Sequence, residues 1–172
     1  MLILLAACAS LRVGSDFDRS ASFDGFHTFS LLAREHHGST NPLVVQRARD
    51  AIQAELIRKG FSYTNDAAKA EFVVDVTIGA HERMEVESYP TPYGGPWYGV
   101  GPGWWGYPYW GDQIDVHMYR EGTLGIDIFD AVTHKPVWHG WATKPLSKAD
   151  MEQSEAPIRA AVAAVLARFP PR

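Results

Sequence analysis

Of the side chains that could move protons or hold a cation, Asp75, Asp115 and Asp127 fall on the polar side of alternating apolar patterns. Phe72, Val74, Val76 and Ile78 share one face of the first pattern. Ile114, Val116 and Met118, then Leu124, Ile126 and Ile128, continue it. A three-residue turn at Arg120-Glu121-Gly122 would preserve this parity, with Gly122 in the left-handed position. It would set Asp115 directly across from Asp127, with Asp75 and Asp130 nearby. Facing carboxylates can do acid–base work or hold a cation; the competing reading is that Arg83 and Lys135 neutralise them, or that the register differs. No pocket-forming loops cluster there, so a hydrolase on this Asp face is the third-ranked function.

His36-His37, His81, His117, His134 and His139 raise the question of a metal. In the same register His117 lies opposite Gly125 and His81 is on a neighbouring wet face. There is no His-x-x-x-His or His-Glu-x-x-His spacing, so surface histidines are expected, with no metal and no cofactor. Nucleophile motifs are also missing: Gly-x-Ser-x-Gly does not occur, and Gly99-Val100-Gly101-Pro102-Gly103 lacks the lysine of a phosphate loop. The expectation is that the protein is not an enzyme, with no catalytic residue.

A different chemistry belongs to Tyr89–Gly111, which is uncharged and built almost wholly from Gly, Pro, Tyr and Trp. Tyr93, Trp97, Tyr98, Trp104, Trp105, Tyr107, Tyr109 and Trp110 are the candidate contact surface. Such rings stack on sugars or peptides, anchor protein interfaces and favour lipid headgroup layers. The alternative is that the loop covers its own sheet or stays extended in polyproline-like form. The single cysteine, Cys8, ends the run Met-Leu-Ile-Leu-Leu-Ala-Ala-Cys. This is similar to the lipobox of bacterial lipoproteins, in which the cysteine is lipidated after cleavage before it. On that reading residues 1–7 are a signal-peptide remnant and residues 8–10 a lipidated N-terminus and short tether. With no Asp following Cys8, the resemblance points to the outer membrane, facing the periplasm, anchored by a triacylated cysteine.

The elements that must position these residues follow from periodicity. Leu11–Asp18 and Phe26–Leu31 read as strands, and Phe61–Tyr63 as a brief one. Asn41 is an N-cap before Pro42, and Val45, Ala48, Ile52 and Leu56 form an apolar stripe ending in Arg58, Lys59 and Gly60. Glu71–Ser88 and Gln113–Tyr119 flank the aromatic loop as a long hairpin. Asp130–Lys135 is a turn, and Pro136–Ala142 a strand whose alternation does not decide whether Trp138 or Trp141 points inward. Lys144–Asp150 links to a helix that starts near Ser154–Ala156, with Ile158, Ala161, Val162, Val165, Leu166 and Phe169 on one face. The expected architecture is α+β: an antiparallel sheet with two main helices packed on one face, and the aromatic loop between two central strands. One domain spans 11–169, and 170–172 is a C-terminal tail.

Composition narrows the function classes. The chain has 172 residues, 46% hydrophobic, with a net charge of −4. One globular core is affordable at that length, and there is no basic footprint for nucleic acid. No apolar run is long enough to cross a membrane.

Several segments resemble a known family. Val13-Gly14-Ser15-Asp16-Phe17-Asp18 and Phe23-Asp24-Gly25-Phe26-His27-Thr28-Phe29 look like its opening. Glu121-Gly122-Thr123-Leu124-Gly125-Ile126-Asp127-Ile128-Phe129-Asp130-Ala131, Val137-Trp138-His139-Gly140-Trp141-Ala142 and Arg168-Phe169-Pro170-Pro171 are similar to its later parts. The family is a bacterial lipoprotein group known as domain of unknown function 4136. The resemblance implies an α+β envelope lipoprotein with no established activity and no catalytic residue to transfer. The function expected is therefore a non-enzymatic, lipid-anchored envelope protein that binds a protein partner through its aromatic loop. A carbohydrate or peptidoglycan binder using the same rings is the runner-up.

Overall fold

The computed structural model describes residues 11–32, 41–90 and 112–171, with side chains for all of these except 83–90 and 112–119. The elements in chain order are β1 (Arg12–Phe17), β2 (Thr28–Leu31), α1 (Pro42–Arg58), β3 (Ser62–Tyr63), a 3-10 turn (Ala67–Lys69), β4 (Phe72–Pro90), β5 (Asp112–Asp130), β6 (Pro136–Leu146), α2 (Lys148–Glu152) and α3 (Glu155–Leu166). The strands form one sheet in the order β1-β6-β5-β4-β2-β3.

Helix α1 forms where its capping chemistry dictates. The Asn41 side chain accepts a hydrogen bond from the Leu43 N–H at 2.9 Å, and Pro42 follows at the first helical position. Gly60, at φ 100°, ends the helix in the left-handed conformation that a Cβ would disfavour. The stripe Val45, Ala48, Ile52 and Leu56 is buried, as the spacing requires.

The sheet is mixed, which corrects the expected antiparallel arrangement. β2 runs parallel to both β3 and β4, in the registers Phe29↔Tyr63 and Phe29↔Phe72. The physical reason lies in the connection between β2 and β3. A 17-residue helix carries the chain back to the end from which β2 started, so the next strand enters in the same direction. A third, short helix, α2, joins the two expected ones; its capping box is made by Ser147 and Asp150.

A second correction concerns Arg120-Glu121-Gly122, which makes no turn. β5 runs unbroken from Asp112 to Asp130, and these three residues pair with Leu146, Pro145 and Lys144 of β6. The expected link Lys144–Asp150 thus begins as strand. Glu-Gly has turn chemistry, but β6 offers a ladder that a local turn would forfeit. Gly122 serves a close approach: a Cβ there would lie 2.9 Å from Leu146 Cδ2. Asp115 therefore shares a strand with Asp127 and cannot face it.

One face of the sheet carries the core. Phe72, Val74 and Val76 of β4, Leu124, Ile126 and Ile128 of β5, and Trp138 and Ala142 of β6 are buried with the α1 stripe and with Val162, Val165 and Leu166 of α3. At one end of the core the packing is aromatic. Phe72 lies 5.0 Å from Phe26, 5.7 Å from Phe29, 5.3 Å from Phe61 and 5.7 Å from Phe169, centroid to centroid. Trp138 stands edge-on to Phe169 at 5.3 Å. Such pairs add about 0.5–1.5 kcal/mol each beyond their buried area.

The chain divides into two compact units, Met1–His81 with Arg120–Arg172, and Glu82–Tyr119. The first contains the helices, strands β1, β2, β3 and β6, β4 as far as His81 and β5 from Arg120 onward. The second consists of the C-terminal half of β4, the N-terminal half of β5 and the segment that joins them. Among the described residues no helix is long and apolar enough to cross a membrane.

Candidate functional site

β6 alternates strictly through its middle, so Trp138, Gly140 and Ala142 face the core while His139 and Trp141 take the other side. This settles the two tryptophans: Trp138 is 1% exposed and Trp141 40%. The antiparallel registers then build two rows across the open face, Asp16↔His139↔Asp127 and Gly14↔Trp141↔Gly125.

In the first row Asp127 Oδ1 lies 2.6 Å from His139 Nδ1. An ionised carboxylate only accepts, so Nδ1 carries the proton, and in the neutral ring Nε2 keeps its lone pair. The His139 ring stacks on Trp141 at 5.5 Å with a 19° interplanar angle. In the second row the indole lies over Gly14: a Cβ on that glycine would be 2.0 Å from Trp141 Cζ2. Only a glycine on β1 leaves this space. Gly125, on the far side, would meet nothing closer than Thr77 Cβ at 3.8 Å. The result is an indole resting on a backbone floor with an imidazole beside it, and a carboxylate on each neighbouring strand.

Among the described residues, the acids with displaced pKa values, Asp18, Glu55, Glu71, Asp130 and Asp150, anchor local structure. Asp150 is lowered to about 2 by the Lys144 ammonium and by the Ser147 backbone and hydroxyl, which it binds at 2.8, 2.9 and 2.7 Å. Asp130 is lowered chiefly by the Thr133 N–H, and Glu71 by the His27 and Thr28 N–H groups. Asp18 is lowered by Ser20. Each displacement favours the ionised form, the direction expected of turn and strand-end anchors. A general acid needs the opposite.

Other predicted residues are dispersed. Asp75 is buried on β4, with Oδ1 accepting from the Val76 N–H at 3.0 Å. His81 is exposed on β4, and His134 sits at φ 57° in the turn after β5. No group of three His, Cys, Asp or Glu with metal-binding proximity occurs among the described residues. Cys8, His36-His37 and the eight aromatic residues Tyr93, Trp97, Tyr98, Trp104, Trp105, Tyr107, Tyr109 and Trp110 lie outside the described residues. Asp115 and His117 lie on β5, where the backbone alone is described. A separate shallow cleft of about 400 Å³ between α1 and the start of α3 is lined by Arg47, Arg159, Glu152 and Glu155, whose charges cancel.

Periodicity alone puts Asp127 on the polar face but opposite Asp115 rather than His139, and it does not orient Trp141. The signal was present in the turn at Asp130–Lys135. Carrying β5 and β6 back from that turn as uninterrupted strands leads to Asp127↔His139.

A model of the family described as domain of unknown function (DUF4136) matches residues 13–171. Among solved structures, a PDZ domain protein from Parabacteroides distasonis ATCC 8503 is similar, with TM-score 0.59 and 14% identity over 94% of this chain and 36% of that one. This chain thus spans about a third of that protein. A DUF4136 family protein from Bacteroides thetaiotaomicron VPI-5482 gives TM-score 0.54 and 18% identity over 93% and 96% of the two chains. The PelC dodecamer from Paraburkholderia phytofirmans gives 0.54 and 13% over 95% and 100%. At these identities the likenesses concern the fold alone. No curated protein matches the sequence. The family match spans nearly the whole chain, and the protein belongs to the DUF4136 family.

Proposed function

We propose that this protein is a non-enzymatic, lipid-anchored component of the bacterial cell envelope. It is held in the outer membrane through acylated Cys8, faces the periplasm and binds a protein partner through the rings of residues 91–111. The observation that carries this reading is the relation of that segment to the sheet. Its two longest strands, β4 and β5, each of 19 residues, are neighbours in the sheet, and the chain between them is this segment. Strands of five or six residues are the norm. A pair three times that length, joined by 21 residues without a charge and with four Trp and four Tyr, is a costly arrangement unless the rings have a use.

Two further observations support a binding role over catalysis. The displaced acids are all shifted toward permanent ionisation. The Asp127–His139 pair stands on an open face with its side chains 30% and 48% exposed, where water screens the interaction.

Photo-crosslinking from Trp104 in intact cells tests the reading. A discrete protein adduct is expected, lost when Tyr93–Trp110 is deleted while the far-UV spectrum is kept. Adduct recovery unchanged by placing the crosslinker at exposed Val132 instead would refute the loop as contact surface. Cys8→Ser should move the protein from the membrane to the periplasmic fraction; retention in the membrane would refute the anchor.

A further inference from the structure

We infer that the open face over β1, β6 and β5 is a second binding surface, for an unbranched oligosaccharide of neutral pyranose units, with one sugar ring stacked on Trp141. The residues of this surface all belong to the first compact unit.

The ligand class follows from what the face offers. Its apolar element is a single exposed indole, immobilised by Gly14 beneath it and by the His139 ring beside it. Such a ring loses little conformational entropy on binding, and its face suits the C–H face of a pyranose. Around it stand short hydrogen-bonding groups. Asp16 and Asp127 flank His139 across the strands, and Thr143 follows Trp141 two residues along β6. The two oxygens of a carboxylate can accept from adjacent ring hydroxyls, and His139 Nε2 in the neutral ring accepts another. The Asp127 hydrogen bond fixes the tautomer that makes Nε2 an acceptor.

Other ligand classes fit less well. Nucleic acid and acidic polymers meet two carboxylates, Asp16 and Asp127, against the single guanidinium of Arg12 on the β1 part of this face. A peptide strand would add to a sheet edge, and these residues sit on a face. Small cofactors are enclosed by concave pockets, whereas this surface is open and suits an extended chain.

Isothermal titration of the full chain with cellotetraose and with chitotetraose tests the inference. Saturable heat from at least one of the two is expected. Trp141→Ala should weaken it roughly tenfold or more, the loss typical of removing one stacking ring. Gly14→Val, which keeps the indole but fills its floor, should also weaken binding. Because a folding defect would mimic both, each variant is compared by near-UV circular dichroism, and Trp141→Phe, which keeps a smaller ring, should retain part of the affinity. Deleting Tyr93–Trp110 should leave the heat unchanged, so failure here is distinguishable from failure of the loop reading. The inference is overturned if neither tetraose gives saturable heat, or if folded Trp141→Ala binds like the parent. Loss of binding on loop deletion alone, or heat only from a basic peptide such as tetra-arginine, overturns it equally.

Discussion

Trp138 and Trp141 lie three residues apart on one strand, and each occupies the space above a glycine. Trp138 covers Gly140 on its own strand and packs against Phe169 and Val165, with 1% of its surface exposed. Trp141 covers Gly14 on the neighbouring strand and leaves 40% of its surface to solvent. The same residue type, on the same strand, is core on one face and platform on the other. What separates them is which side of the sheet the helices cover.

The largest test of this contrast is truncation. Trp138→Ala should cost about 3–5 kcal/mol, the range for large-to-small changes at buried aromatic sites. Trp141→Ala should cost under about 1 kcal/mol, as expected of a half-exposed position. Urea unfolding midpoints measure both, and similar losses would break the distinction between the faces.

Adding a methyl group sharpens the comparison further. A Cβ on Gly140 would lie 2.2 Å from Trp138 Cη2 and 2.6 Å from Val165 Cγ1. Neither neighbour can withdraw from a packed core, so Gly140→Ala should destabilise by about 1–3 kcal/mol. The clash at Gly14 is closer, 2.0 Å, but the Trp141 ring can swing into solvent. Gly14→Ala should therefore cost under about 1 kcal/mol while red-shifting the Trp141 emission. Here the tighter contact carries the smaller penalty.

Charge pairs extend the comparison to polar contacts. The Lys144–Asp150 pair is largely sheltered, with side chains 24% and 15% exposed, and Asp150 is lowered from 3.8 to about 2. A depressed folded pKa gives stability that is full above the unfolded value near 4. It is lost as pH falls from there through about 2. Asp150→Asn should thus cost on the order of 1–2 kcal/mol at pH 7 and almost nothing below pH 2, read from unfolding curves at both. Asp127→Asn, on the open face, should cost only about 0–1 kcal/mol at pH 7. A larger loss there than at Asp150 would mean the open face contributes to stability as the core does.

Much of the architecture is legible before any coordinates. Asn41, Pro42, the stripe Val45–Leu56 and Gly60 specify α1 with both its ends, because capping and helical periodicity are local. The buried parity Phe72–Val76 and Leu124–Ile128 is equally local, since it needs only alternation. The errors arose where a local signal competed with a distant partner. Gly122 looks like a turn residue, and only the extension of β6 to Leu146 turns it into ladder. The direction of β2 depends on α1 returning the chain, which no pattern inside β2 encodes.

The candidate site divides in the same way. Asp127 was visible as a carboxylate on the wet face, but its pairing with His139 depends on register across the β5–β6 turn. Trp141 could not be placed because its floor, Gly14, is far away in sequence and reaches it only through β1–β6 pairing. The sequence by itself determined the helix ends, the alternation of the long strands, the uncharged ring-rich segment and the family. Short-range sterics and hydrogen bonding are sufficient for those. Tertiary structure alone decided the strand directions, the continuity of β5 and which tryptophan meets water, because each depends on contacts between residues that only the closed sheet brings together.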